Sequence, residues 1–111
     1  MKYEKNLLSG STPMLVLSLL TDGDKYGYQM VEELAKRSDD TFLLKEGTLY
    51  PLLHTLEKQG FVASYTMTTP QGRERKYYRL THDGKKQLET KTREWKLFSE
   101  KVNAVLSFSG A

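Results

Sequence analysis

The segment Glu46-Gly47-Thr48-Leu49-Tyr50-Pro51-Leu52-Leu53-His54-Thr55-Leu56-Glu57-Lys58-Gln59-Gly60 decides the fold of this 111-residue chain. Its leucines recur at intervals of three and four residues, the spacing that places side chains on one face of an α-helix. Gly60 is expected to end the helix, because glycine readily adopts the left-handed conformation that follows a last helical turn. The period therefore predicts a helix whose apolar face is formed by Leu49, Leu52, Leu53 and Leu56.

The opposite face of this predicted helix carries Pro51, His54 and Lys58, with Tyr50 beside them. It presents hydroxyl groups, an imidazole and an ammonium group, but almost no long aliphatic surface. A short helix that is buried on one side and polar on the other suits the major groove of DNA. Thr48, Tyr50 and His54 are therefore candidates for base or phosphate contacts, and an inert solvent-exposed face is the alternative interpretation.

The composition indicates one small domain. The chain is 38% hydrophobic, and its formal net charge of +3 permits a polyanionic partner without requiring one. There is no cysteine, which excludes disulfides and favours a reducing cytoplasm. The first residues, Met1 to Asn6, lead into only two leucines, which does not fit a signal peptide. The longest apolar run, Met14 to Leu20, is too short to span a bilayer, so no membrane partner is expected.

Three elements are predicted before the leucine-striped helix. Ser11-Thr12-Pro13 has the hydroxyl and proline that begin helices, and the apolar residues after it predict a first helix that is mostly buried. A second helix is expected from about Tyr26 to Ser38. Phe42-Leu43-Leu44 is interpreted as a very short strand.

After Gly60 the apolar period changes from that of a helix to that of a strand. Residues 61–68 are rich in β-branched and aromatic side chains, residues 69–72 have turn chemistry, and residues 75–80 form the predicted return strand. Thr81 is expected to cap a last helix that runs to about Phe108, with Asp83 favourably placed in its first turn. At 1.5 Å per residue this helix is roughly 39 Å long, too long to pack fully on so small a domain.

The order helix, helix, short strand, helix and hairpin is that of a winged helix-turn-helix, in which the hairpin is the wing. The predicted fold class is therefore mainly α with a small β-hairpin (α+β), extended by a long C-terminal helix. We expect residues 1–81 to form a DNA-binding domain and residues 82–111 to form a dimerisation helix.

Positive charge is concentrated near the tip of the predicted hairpin, at Arg73, Arg75 and Lys76, with Glu74 as the opposing charge. A solvated turn is the alternative interpretation. Beside a helix that reads a groove, however, such a tip is suited to bind phosphates. Release of counterions from these contacts would make the affinity fall steeply as salt increases.

The last helix carries a seam of apolar residues that resembles a heptad repeat. Large apolar side chains recur at intervals of seven, with further ones three residues on, and Lys91 interrupts the seam near its start. Packing on the same domain is the alternative, but exposed tryptophan and phenylalanine side chains favour pairing with a second copy. The residues predicted at the dimer interface are Leu88, Trp95, Phe98, Val102, Val105 and Leu106.

The sequence contains no pattern that is typical of an enzyme. His54 has no nearby serine or aspartate motif that would support a catalytic triad, and His82 lies in a predicted helix cap. Two isolated histidines without spaced carboxylates do not form a metal site, so no catalytic residue, cofactor or metal ion is predicted. A winged helix used only for protein–protein contact is the main alternative function. Its third helix would need an apolar outer face, which this one lacks.

Two blocks of sequence, Gly47–Val62 and Arg75–Thr81, closely resemble the PadR-like transcriptional regulators, and Tyr26-Gly27-Tyr28 fits the same family pattern. The resemblance runs from about Leu15 to Leu88, and the single long helix after it is similar to the smaller subgroup of the family. It implies a homodimeric cytoplasmic repressor that binds a palindromic double-stranded DNA operator and is released by a small effector.

The resemblance also implies roles for particular residues. Tyr26 joins the DNA-contacting set. Trp95 with Phe98 would line a flat effector pocket at the dimer centre, where paired tryptophans enclose a planar aromatic compound. The alternative is that Trp95 only packs in the core of the dimer. The sequence departs from the family where the third helix starts. Lys45 and Glu46 stand where relatives often have serine or asparagine followed by proline. Lys45 places a cation where the helix would approach phosphate.

Overall fold

The computed structural model describes residues 10–108, which form helices and strands in the predicted order with one exception. The elements are α1 (Thr12–Leu19), β1 (Lys25–Tyr26), α2 (Gly27–Arg37), α3 (Glu46–Lys58), β2 (Val62–Thr68), β3 (Glu74–Leu80) and α4 (His82–Ser107). Residues 1–9 and 109–111 lie outside the described residues. They include the start of the predicted DNA-binding domain, the end of the predicted dimerisation helix, and the segment for which no signal peptide is predicted.

The third strand of the sheet is the exception. The prediction of a strand at Phe42–Leu44 is wrong, because this segment follows an irregular path that turns Leu44 into the core. The strand is instead Lys25–Tyr26, which pairs antiparallel with β3 so that Tyr26 lies opposite Tyr77. The sheet order is β1-β3-β2, with β3 in the centre.

The core lies between the helices and the sheet: α1 packs on α2 and α4, α2 packs on α3, and α3 packs on β2. Leu49, Leu53 and Leu56 are buried as predicted, whereas Leu52 lies half-buried at the margin of the core. The other buried apolar side chains are Val16, Leu17, Leu19, Leu20, Met30, Leu34, Leu44, Val62, Tyr78 and Leu80. Burial of the leucine stripe therefore fixes which side of α3 faces away from the domain.

The C-terminal end of α3 has the geometry predicted from Gly60, whose φ is +81°. The Phe61 N–H donates to the Leu56 carbonyl at 2.9 Å, and the Gly60 N–H donates to the Glu57 carbonyl at 3.0 Å. This pair of hydrogen bonds is a Schellman motif, which satisfies the last carbonyl groups of a helix. The motif turns the chain directly from α3 into β2.

The start of α4 is attached to the same place. Thr81 accepts a hydrogen bond from the Gly84 N–H at 3.0 Å, so it is the predicted cap, and its hydroxyl donates to the Gly60 carbonyl at 2.7 Å. The Thr81 N–H also donates to the Phe61 carbonyl at 3.1 Å. Beyond Leu88, which packs on the core, most of α4 is exposed.

These elements form the predicted α+β winged helix-turn-helix with a long additional helix. Its greatest extent is 66 Å, against 29 and 22 Å in the other two directions. None of the helices within residues 10–108 has both the length and the apolar character needed to cross a bilayer.

Candidate nucleic-acid interface

The outer face of α3 is polar and accessible. Thr48, Pro51, His54 and Lys58 are all exposed, on the side opposite the buried leucines. The Thr55 hydroxyl donates to the Pro51 carbonyl at 3.1 Å, so it is occupied within the helix. The structure thus brings the predicted α3 contacts together on one surface that is free of large aliphatic groups.

The N-terminal end of α3 has no side-chain cap. Lys45 occupies the N-cap position with an extended backbone, and its side chain makes no capping hydrogen bond. Glu46 lies in the first turn, where the helix dipole favours an anion. Lys45 is exposed, so its ammonium group is available at the end of the helix that would enter a groove.

Tyr50 connects α3 to the start of α2. A methyl group at Gly27 would lie 2.7 Å from Cζ of Tyr50, so the glycine makes room for the ring. Burial, followed by the carboxylate of Glu46, raises the pKa of Tyr50. The side chain is nevertheless 44% exposed. Tyr28, at the same end of α2, is 53% exposed and was not among the predicted contacts, although it belongs to the family-like Tyr-Gly-Tyr motif.

The tip of the β2–β3 hairpin, which we call the wing, is closed by a turn that is well supplied with hydrogen bonds. The Gly72 N–H donates to the Thr69 carbonyl at 2.9 Å, and the Thr69 N–H donates to the Arg73 carbonyl at 2.7 Å. Gly72 has a φ of +82°, which explains why glycine stands there. The side chains of Arg73 and Lys76 are exposed.

Arg75 differs from its basic neighbours because it is half-buried on the outer face of the sheet. Its Cζ atom lies 4.4 Å from the centroid of the Tyr26 ring. That ring meets Tyr77 edge-on at 5.4 Å, and Tyr77 stacks on Tyr65 at 5.7 Å. The Tyr65 hydroxyl donates to the Asp24 carboxylate at 2.7 Å. No sequence pattern predicted this row, which we call the tyrosine row and which consists of Arg75, Tyr26, Tyr77, Tyr65 and Asp24.

The predicted effector residues line an open groove of about 800 Å³ between α1, α3 and α4. The ring centroids of Trp95 and Phe98 are 6.1 Å apart. Leu17 and Leu52 form part of the floor, and Lys91 and Glu94 also line the groove. An aromatic pair over an aliphatic floor is the kind of surface that accepts a flat apolar molecule.

The predicted dimer residues divide into two groups. Leu88 is half-buried and packs on the core of its own chain. The remaining residues are substantially exposed, at 48% for Trp95, 61% for Phe98, 37% for Val102, 74% for Val105 and 76% for Leu106. The described part of the chain thus presents an apolar strip along the distal half of α4.

The fold and this surface define a class of protein, the winged-helix proteins with an added C-terminal helix. Comparison with known proteins identifies the family. Residues 16–90 match the family model described as the transcriptional regulator PadR-like family. An uncharacterised protein of Lysinibacillus sphaericus is 34% identical over 90 residues, covering 81% of this chain and 83% of its own.

Solved structures agree with this assignment. A transcriptional regulator from Clostridium thermocellum is 34% identical with a TM-score of 0.83, and the match covers 90% of this chain and 97% of that one. A PadR-family regulator from Clostridium difficile is 36% identical with a TM-score of 0.76, covering 88% and 100%. A PadR-like regulator from Bacillus cereus is 28% identical with a TM-score of 0.82, covering 95% and 100%. The chain belongs to the PadR-like family of transcriptional regulators.

Proposed function

We propose that this regulator is a homodimeric, sequence-specific DNA-binding repressor that acts in the cytoplasm and is released by a small molecule. The observation that carries the proposal is the exposed polar face of α3, formed by Thr48, Pro51, His54 and Lys58. A helix buried on one side and polar on the other fits the major groove. Residues 1–81 would then read DNA, and residues 82–111 would pair two copies.

Each exposed group has a role that its chemistry suggests. His54 and Thr48 would donate hydrogen bonds to base edges or accept them, because the hydrogen bonds of an imidazole and a hydroxyl group are short and directional. Lys45, Lys58 and the Tyr50 hydroxyl would bind phosphate oxygens, which fix the register of the helix on the duplex. The exposed wing residues Arg73 and Lys76 would bind further phosphates beside the groove.

Pairing through α4 is supported by the apolar strip that includes Trp95, Phe98 and Val102. Contiguous exposed apolar surface of this kind marks an interaction site. A second copy packed along the strip would cover it and place two α3 helices on one duplex. The half-sites of a palindromic operator would then lie about 34 Å apart, or a multiple of that distance.

The same strip supports a site for an effector. Trp95 and Phe98 lie over the groove between α1, α3 and α4, and a planar aromatic compound would stack on them. A cationic compound would gain additional attraction from the rings. Because Leu52 and Thr55 of α3 also line the groove, a compound bound there would touch the helix that reads DNA.

A gel-shift titration with the chain's own promoter fragment tests DNA binding. His54→Ala should weaken binding to the best site by about 1–3 kcal/mol and relax the preference for particular bases. Lys58→Ala should weaken binding to all duplexes alike and reduce the steepness of log K against log salt by about 1. Lys36→Ala, which removes an exposed charge from α2, is the matched control. A winged helix that serves only protein–protein contact predicts no salt-dependent duplex binding, and that result would exclude our proposal.

Sedimentation and fluorescence test pairing and effector binding separately. Val105→Asp combined with Leu106→Asp should convert the dimer to monomers, and Thr90→Asp, on another face of α4, should not. Trp95 is the chain's single tryptophan, so its fluorescence reports directly on the groove. A planar cationic dye such as ethidium, added without DNA, should quench that fluorescence. A monomeric wild type would contradict pairing, and unchanged fluorescence would contradict the effector site.

A further inference from the structure

We propose that Arg75 is a positioning residue of the wing, which holds the hairpin against Tyr26 instead of binding a phosphate. The inference rests on the proposed function, because it concerns how the wing reaches DNA. The three basic residues of the wing, which lie close together in sequence, would then have different roles. Arg73 and Lys76 would bind phosphates, and Arg75 would set where those two groups stand.

The first argument is the position of the guanidinium group. Cζ of Arg75 lies 4.4 Å from the Tyr26 ring centroid, within the range of a cation–π contact. Its Cα partner on β2 is Met67, so both side chains leave the same face of the sheet, and the flat guanidinium head lies over a ring. Nζ of Lys76 also lies over a ring, but at a longer distance of 5.7 Å from the Tyr78 centroid. Arg75 is half-buried, whereas Arg73 and Lys76 are exposed. To reach a phosphate, Arg75 would have to leave the Tyr26 ring.

The second argument is what the Tyr26 ring is attached to. Tyr26 is the residue between β1 and α2, and its N–H donates to the Gln29 side chain at 3.0 Å. The ring position is therefore tied to the first turn of α2. A guanidinium group resting on this ring links the distal half of the wing to a helix of the domain body.

The third argument is the continuity of the tyrosine row. Tyr26 meets Tyr77 edge-on, Tyr77 stacks on Tyr65, and the Tyr65 hydroxyl donates to Asp24. These contacts cross all strands of the sheet on the face opposite the core. Arg75 is the member of the row nearest the wing tip, so its loss would free the tip while leaving the root in place.

Salt titrations of duplex binding distinguish a positioning role from phosphate binding. Log K falls as log salt rises, and Arg73→Ala and Lys76→Ala should each make this fall less steep by about 1. Arg75→Ala should keep the wild-type slope and lower affinity by about twofold to fivefold at every salt concentration, the size of an exposed cation–π contact. Arg93→Ala, an exposed arginine of α4, controls for the loss of one positive charge.

A neutral replacement that still packs on the ring provides the rescue. Methionine is long, flexible and favourable against aromatic rings, so Arg75→Met should recover most of the affinity lost in Arg75→Ala. Tyr26→Leu should reproduce the effect of Arg75→Ala, and the double variant should bind as each single variant does. A slope that falls by about 1 in both Arg75→Ala and Arg75→Met would overturn the inference, because only a phosphate contact requires the charge.

A measurement without DNA separates this inference from the proposed function. If the wild type binds no duplex, the proposed function fails. A thermal-unfolding double-mutant cycle of Arg75→Ala and Tyr26→Leu still tests the contact. Non-additive shifts of the melting temperature would support the positioning contact, and additive shifts would overturn it. Backbone amide relaxation at Gly72 should show greater mobility in Arg75→Ala than in Arg73→Ala.

Discussion

The carboxylate of Glu57 accepts hydrogen bonds from both the N–H and the hydroxyl of Ser64, at 3.2 and 2.6 Å. Glu57 lies near the end of α3, and Ser64 lies in β2, so this pair ties the helix to the root of the wing. Burial, followed by the charge of Glu57, raises the pKa of nearby Tyr78. The polar-faced helix α3 and the hairpin beside it are thus joined by a charged group.

Replacing Glu57 should therefore weaken the attachment of the wing. We expect Glu57→Gln to lower the free energy of unfolding by about 1–2 kcal/mol, because a carboxylate accepts two hydrogen bonds more strongly than an amide oxygen does. Chemical denaturation measures the change. Glu32→Gln, at an exposed position of α2, is the control and should have little effect. Equal stability of the two variants would contradict the role given to Glu57.

Gly84 permits the close approach of α4 to the turn that follows α3. A methyl group there would contact the Phe61 carbonyl oxygen and would lie 2.7 Å from Cδ1 of Leu80. We expect Gly84→Ala to lower the free energy of unfolding by about 2–3 kcal/mol, because the obstacle is backbone that cannot move aside cheaply. Gly47→Ala is the matched control, because a methyl group at that helical position meets nothing within 4 Å. It should be neutral or stabilise by about 0.5–1 kcal/mol.

The C-terminal end of α2 holds an aspartate where glycine would fit better. Asp39 has a φ of +50°, and the Asp40 N–H donates to the Ala35 carbonyl at 2.8 Å, as in the turn after α3. Asp39→Gly should raise the free energy of unfolding by about 0.5–1 kcal/mol, since it relieves the left-handed conformation and removes an anion from a helix C-terminus. Gly60→Ala, at the matching position after α3, should lower it by about 1 kcal/mol. Shifts of the same sign in both variants would contradict this account.

Tyr65 should lose its proton at an unusually high pH, because its hydrogen bond to Asp24 is the main cause that raises its pKa. With a raised folded-state pKa, the folded protein keeps the proton above the unfolded value of about 10. The stability from this bond is complete below that pH and is lost as pH rises through the folded-state pKa. Asp24→Ala should move the Tyr65 titration to lower pH in a phenolate absorbance measurement, with Tyr65→Phe identifying its signal. An unmoved titration would show that the bond is not formed in solution.

The sequence predicted those features that depend on local patterns. The three- and four-residue spacing of Leu49, Leu53 and Leu56 can be satisfied only by burying one side of a helix, so the exposed side followed automatically. Gly60 and Thr81 have local chemistry that ends and begins helices, and both ends lie where this chemistry indicated. The predicted DNA-contacting and dimer residues depend on absent partners and remain predictions.

Features that depend on distant pairing could not be predicted in this way. Lys25–Tyr26 is too short to carry a strand pattern, and it becomes a strand only because the fold brings β3 beside it. Residues 42–44 have a strand-like composition but are not part of the three-stranded sheet, and the Phe42 N–H donates to the Ser38 hydroxyl at 3.0 Å. The contact between Arg75 and Tyr26 joins residues far apart in sequence. Because the prediction for the wing used charge alone, it placed Arg75 in the same phosphate-binding group as Arg73 and Lys76.

Gly60, Phe61 and Thr81 join the base of the long helix α4 to the end of α3, so a small rotation at this base moves the far end of α4 by a larger distance. The end of α3, the root of the wing and the start of α4 meet at this one joint through hydrogen bonds of 2.7 and 3.1 Å. A rod of about 39 Å that tilts by about 5° at its base moves its far end by roughly 3 Å. If two copies pair through α4 as proposed, a displacement of that size at the far ends of the two helices would rotate each α3 by only a few degrees and would change the distance between the two α3 helices.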